Sequence, residues 1–176
     1  GKAFFSGDDA LLKAVVTFLE EEGFTVVGAD DVLGVLVAPE GFLTKHRPTV
    51  RDEGDIAHGL RVAKELGRLD IGQAAIVENG YVLGVEAAEG TDALIVRCGN
   101  LRREAHSGVL VKVKKPGQET RTDLPAIGLQ TVEKIHAAGF SGIAVEAGGA
   151  LILDKEKTLA RADMLGIFIV GVHAAA

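Results

Sequence analysis

The segment VEAAEGTD, residues 85–92, sets Glu86, Glu89 and Asp92 around Gly90 and Thr91. Carboxylates at this density are acceptors of the kind a divalent cation recruits. Magnesium typically takes one or two of them and fills its octahedron with water and phosphate oxygens. If a helix begins near Thr91, its bare N–H groups and positive dipole end add a site for an anion. Gly90 then allows close backbone approach, and Thr91 can cap the helix or donate to a phosphate. The same residues also read as an ordinary helix start, with Thr91 as the cap and Asp92 as a first-turn acid complementing the dipole.

A second polar segment, VKVKKPGQETRTDLPAIG, occupies residues 111–128. Strand alternation puts Val111 and Val113 on one face and Lys112 and Lys114 on the other. Lys115-Pro116-Gly117 turns the chain, and Gln118, Arg121 and Asp123 come at close spacing. Pro125 forces Leu124 into extended geometry, which fixes the orientation of Asp123. A carboxylate among Lys and Arg stays ionised at neutral pH, so Asp123 suits metal binding or the orienting of a water. Lys112, Lys115 and Arg121 suit a polyanion such as a pyrophosphate. The other reading is a solvated charged loop, stiffened by its proline and glycine.

These segments need elements to hold them. GDDALLKAVVTFLEEEGF predicts a helix, with Asp8 or Asp9 as cap, an apolar stripe from Leu11 to Leu19, and Gly23 as its end. FTVVGA then reads as a short strand. From Ala38 to Asp55 two prolines, mixed charge and little periodicity predict a linker or crossover. DIAHGLRVAKELGRL resumes a helix that ends near Gly67. AAIVENGYVLGVE is a hairpin about Asn79-Gly80, the strongest short turn signal. IAVEAGGALILD reads as a weaker copy, which aligns Glu86 with Asp154 and suggests a duplicated hairpin–helix unit. GVLVKV and GIFIVGV add two buried strands, and LQTVEKIHAAG is a helix closed by Gly139. The expected fold class is α/β, a mixed sheet with flanking helices.

Composition narrows the function. The chain has 176 residues, 47% of them apolar, yet no run reaches the ~20 apolar residues of a membrane-spanning helix. The surplus apolar area must enter a core, a subunit interface or a greasy groove. One cysteine, Cys98, excludes an intrachain disulfide framework and fits a cytoplasmic setting. A net charge of -6 with no Trp and one Tyr argues against nucleic acid. The five histidines lack metal-ligand spacing. There is no nucleophile elbow, P-loop or dinucleotide fingerprint.

VEAAEGTD, GVLVKVKKPGQETRTDLPAIG, GIAVEAGGALILD and GIFIVGV together resemble the C-terminal domain of the UDP-2,3-diacylglucosamine pyrophosphatase family of the lipid A pathway. Residues 7–44 resemble the end of that family's N-terminal domain. The resemblance implies a remnant of a smaller, Rossmann-like N-terminal domain over residues 1–42, a crossover at 43–55 and the C-terminal domain at 56–176. A glycine-rich turn expected earlier in that domain does not precede Gly1, so the chain is expected to start partway through it. The implied reaction is magnesium-dependent hydrolysis of UDP-2,3-diacylglucosamine to the acylated sugar 1-phosphate (lipid X) and UMP, with water attacking the phosphorus nearer the sugar. Carried over by position, Asp123 is the catalytic, metal-linked carboxylate, with Glu89 and Asp92 as further metal candidates. Gly90, Thr91, Lys112, Lys115, Gln118 and Arg121 are candidate substrate contacts. A cytoplasmic homo-oligomer, a dimer, in peripheral contact with the inner membrane is the implied setting. Two rival classes stay open: a silent module binding a sugar nucleotide or lipid phosphate, and a structural dimerisation domain.

Overall fold

The computed structural model describes residues 8–27, 36–116 and 124–173. Its first helix, α1 (Asp8–Glu21), ends close to where Gly23, at φ 88°, permits the chain to turn. The stretch 24–27 forms no strand, and residues 28–29 of the expected FTVVGA strand lie outside the described set.

Most of the remaining chain is organised by a six-stranded sheet. β1 (Gly41–Phe42), β2 (Ala74–Glu78), β3 (Tyr81–Val85), β4 (Val109–Lys112), β6 (Gly142–Glu146) and β8 (Phe168–Val172) lie in the order β1-β8-β6-β4-β2-β3. β4, β6 and β8 run parallel, while β1, β2 and β3 run antiparallel to their neighbours. A separate parallel pair is formed by β5 (Ala126–Ile127) and β7 (Leu151–Ile152). The fold is thus a mixed α/β sheet with flanking helices.

Strand alternation explains its layers. Val109, Val111, Ala144, Phe168 and Val170 project to one face and meet Ile56 and Ala63 of α2 (Val50–Arg68). Leu110, Ile143, Val145 and Ile169 project to the other. There they meet α3 (Gly90–Gly99) through Leu94 and Ile95, α4 (Leu129–Ala138) through Val132 and Ile135, and α5 (Lys155–Leu165) through Ala162. Central strands covered on both sides must be apolar on both sides, which accounts for the unbroken runs of Val and Ile. The side with α2 is packed close. A Cβ at Gly59 would lie 2.5 Å from Val111 Cγ2.

α2 begins at Val50, five residues before the Asp55 expected from periodicity, because a capping box starts it. The Thr49 hydroxyl accepts from the Asp52 N–H at 3.3 Å, and Asp52 Oδ2 accepts from the Thr49 N–H at 2.8 Å. The second half of the expected crossover is therefore helical. Gly41 and Phe42, composed like the end of the first unit, pair with Gly171 and Val170 of the sheet.

The hairpin about Asn79-Gly80 forms as expected. Both residues take positive φ, 50° and 80°, as its tight turn demands. Its supposed copy does not form. β6 is flanked on both edges by β4 and β8, so β7 cannot fold back on it and pairs with β5 instead. A strand with two occupied edges has no hydrogen-bonding groups left for a third partner.

Candidate functional site

At the carboxyl end of β4 several segments converge. The chain leaving β4 reaches Lys115, the chain leaving β3 reaches Glu86 and the start of α3, and Gly72-Gln73 enters β2. These line a cleft of about 400 Å³, with Asp70 and Gly90 also in its wall. Crevices outside the carboxyl ends of parallel strands are where open α/β sheets bind ligands. The two polar segments singled out in the sequence thus meet, with Gly90 from one and Lys115 from the other.

Glu86 organises one wall. Its carboxylate is buried, accepting from the Thr91 hydroxyl at 2.5 Å and from the Gln73 N–H at 3.0 Å. A Cβ at Gly72 would sit 2.2 Å from the Glu86 carbonyl oxygen, so only glycine lets these strands close up. Gln73 is anchored twice, since its carbonyl also accepts from the Val113 N–H at 2.9 Å. Its side-chain Oε1 is buried without a partner among the described residues.

Thr91 does not cap α3, because the helix starts at Gly90 and Thr91 already lies in its first turn. Glu89 occupies the N-cap position but its side chain makes no capping hydrogen bond, and Gly90 takes φ 79°. The first-turn N–H groups of α3 are left without a side-chain cap at the edge of the cleft, an anion-binding arrangement. Lys115 supplies the cation there, its Nζ donating to Asp70 Oδ1 at 2.8 Å.

The other candidates are dispersed. Glu89 pairs with Arg97 at 2.6 Å. The Arg97 guanidinium bonded to Glu89 holds that carboxyl below the usual range. Asp92 is bound to the Lys134 ammonium. Each acid thus spends its charge on a cation of a neighbouring turn or helix. Among the described residues, no group of three or more His, Cys, Asp or Glu side chains could hold a metal. Lys112 is buried rather than turned to solvent, and its Nζ donates to the Ala126 carbonyl at 3.1 Å, tying β4 to β5. Alternation along β4 holds, but the face carrying Lys112 is covered. Cys98 is fully buried, and burial pushes its thiol up, the opposite of an activated nucleophile. Gln118, Arg121 and Asp123 lie outside the described residues. Gly72, Gln73 and Asp70 were missed in the sequence because nothing in their spacing sets them apart. Only strand pairing brings them to the cleft.

The family profile described as the LpxI C-terminal domain matches residues 39–170. The chain belongs to that family. Among curated relatives, the UDP-2,3-diacylglucosamine pyrophosphatase LpxI of Caulobacter vibrioides is 49% identical over 172 residues. The match covers 94% of this chain and 61% of that protein, so this LpxI-family chain spans less than two thirds of its relative. No helix among the described residues is long and apolar enough to cross a membrane.

Proposed function

We propose that this LpxI-family chain carries the hydrolytic part of a UDP-2,3-diacylglucosamine pyrophosphatase, releasing 2,3-diacylglucosamine 1-phosphate and UMP. The observation that supports it most is the shared cleft, where Lys115 and the uncapped start of α3 stand together. A diphosphate needs a cation and N–H donors at one place, and this wall offers both. Asp123 is the reading's catalytic carboxylate: it accepts the hydrogen bond that orients the attacking water. Attack at the phosphorus nearer the sugar breaks the anhydride bond, and UMP leaves. Gln118 and Arg121, close to Asp123 in sequence, serve as further substrate contacts.

Magnesium is part of the proposal. The described residues alone do not fit it, since Glu89 and Asp92 are each bound to a cation, so its protein carboxylate here is Asp123. Bound, the ion would neutralise charge on the phosphoryl oxygens. The reading extends to a cytoplasmic homodimer in peripheral contact with the inner membrane. A separate N-terminal unit belongs to the same reading, its end at Gly41 and Phe42 joined to the sheet.

The test is turnover of labelled UDP-2,3-diacylglucosamine with and without magnesium, in the full chain and in Asp123→Ala. Expected are magnesium-dependent release of UMP and, in the variant, loss of turnover with substrate binding retained. Binding without turnover in the unaltered chain would favour the silent module instead.

A further inference from the structure

We propose that Glu146, held by Lys64, is a positioning residue that sets Lys115 in the cleft. The inference rests on the reaction proposed above. Glu146 ends β6, the strand beside β4. Both of its carboxylate oxygens take the Lys64 Nζ, at 2.7 and 2.9 Å, and Oε2 also accepts from the Lys114 N–H at 2.7 Å. The same Nζ donates to the Lys114 carbonyl at 3.3 Å. One ion pair therefore holds both backbone groups of the residue before Lys115.

Helix α2 closes the clamp from below. A Cβ at Gly67 would lie 2.9 Å from Pro116 Cδ and 3.2 Å from Lys115 Cα, so the helix bears directly on this turn. The pair is largely shielded, with side-chain exposures of 21% for Lys64 and 15% for Glu146. Shielded ion pairs are weak sources of stability, and apolar replacements often hold a fold as well. What apolar groups cannot do is accept from the Lys114 N–H and the Lys64 ammonium together. Without that clamp Lys115 can drift, and displacement of about 1 Å at a reacting centre costs on the order of a hundredfold in rate. Glu146 touches no proposed substrate position and acts only through Lys114 and Lys115.

The experiment measures kcat, KM and thermal midpoint for the double variant Lys64→Met with Glu146→Leu, for Glu146→Asp and for Glu146→Gln. The apolar pair is expected to fold with kcat lowered about 10–100-fold and KM changed far less. Glu146→Asp keeps the charge but retracts the carboxylate, and serves if the apolar pair does not fold; about a tenfold loss is expected. Glu146→Gln retains an acceptor for the Lys114 N–H and should recover most of the rate. Combined with Lys115→Ala, the Glu146→Asp loss should largely vanish, because both act through one group. Unchanged kcat in the folded variants, or losses that simply add to that of Lys115→Ala, would overturn the assignment. No turnover by the unaltered chain overturns the parent reaction and this inference with it. Turnover there with unchanged variants overturns this inference alone.

Discussion

The two ends of the sheet use buried carboxylates differently. At the hairpin end, Asp55 on α2 accepts from the N–H groups of Asn79 and Gly80 at 2.8 and 2.6 Å. Glu78 accepts from the N–H groups of Arg103 and Glu104, and from the Ser107 hydroxyl. Every donor there belongs to a turn or loop, and the acids close them. At the cleft end, Glu86 and Glu146 also take backbone N–H groups, but the segments they hold carry Lys115 and the start of α3. At both ends the held segments line a cleft. At the second they bring Lys115 beside the uncapped start of α3. A buried acid is thus no sign of chemistry by itself; what it holds in place decides.

The hairpin end also has the larger cleft, about 710 Å³, lined by Arg51, Tyr81 and Arg103 among others. Within it Arg103 lies 4.3 Å over the Tyr81 ring and Arg51 pairs with Glu104 at 3.6 Å. Size alone would choose this end, whereas the proposed reaction uses the cation and helix start at the other.

The comparison is open to experiment. Glu78→Ala strips three donors of their acceptor, and about 3 kcal/mol of stability should go with it, since each buried orphan costs ~1–3 kcal/mol. Turnover per folded molecule should not change, and urea unfolding beside an activity assay would separate the two. Lys115→Ala should do the reverse. A loss of about a hundredfold in kcat/KM is expected with a stability change below ~1 kcal/mol, its ion pair to Asp70 being a minor contributor. Destabilisation by Lys115→Ala with normal turnover would erase the contrast between the ends.

A smaller effect concerns acid. Burial pushes the Glu78 carboxyl up, but the hydrogen bonds from Ser107, Arg103 and Glu104, with the charge of Arg102, outweigh it and hold it below the usual range. Its contribution to stability is therefore complete above the ordinary value of 4.5 and is lost as pH falls from there through the lowered one. In that window the unfolded chain binds the extra proton. Thermal midpoints of Glu78→Gln should fall less steeply in acid than those of the parent. The smallest change is expected of Asp92→Asn. Its pair with Lys134 is exposed, so stability should move by less than ~0.5 kcal/mol and turnover by less than about twofold. A hundredfold loss would return Asp92 to the metal set.

Much of this was legible in the residues. The Asn79-Gly80 hairpin, the Val and Ile strands, Gly139 as a helix end and a helix start near Thr91 follow from local conformational preference, which travels with the sequence. The start of α2 was misjudged because Thr49 and Asp52 form their cap in a segment whose prolines and charges suggest a loop. The second hairpin failed for another reason. Its residues permit one, but pairing depends on which strand edges remain open. Glu89 and Asp92 looked like ligands because spacing shows acids without the cations they meet, and Arg97 and Lys134 come into reach only through the helices.

Sequence by itself determined most element types, the family and the two polar segments, since these depend on composition and on neighbours a few residues apart. Only the tertiary structure decided that Gly90 and Lys115 share a cleft, that Lys112 is buried, and that Glu146 reaches Lys64 from 82 positions away. Those outcomes rest on strand order. Hydrogen bonding between distant strands fixes strand order, and no local spacing encodes it.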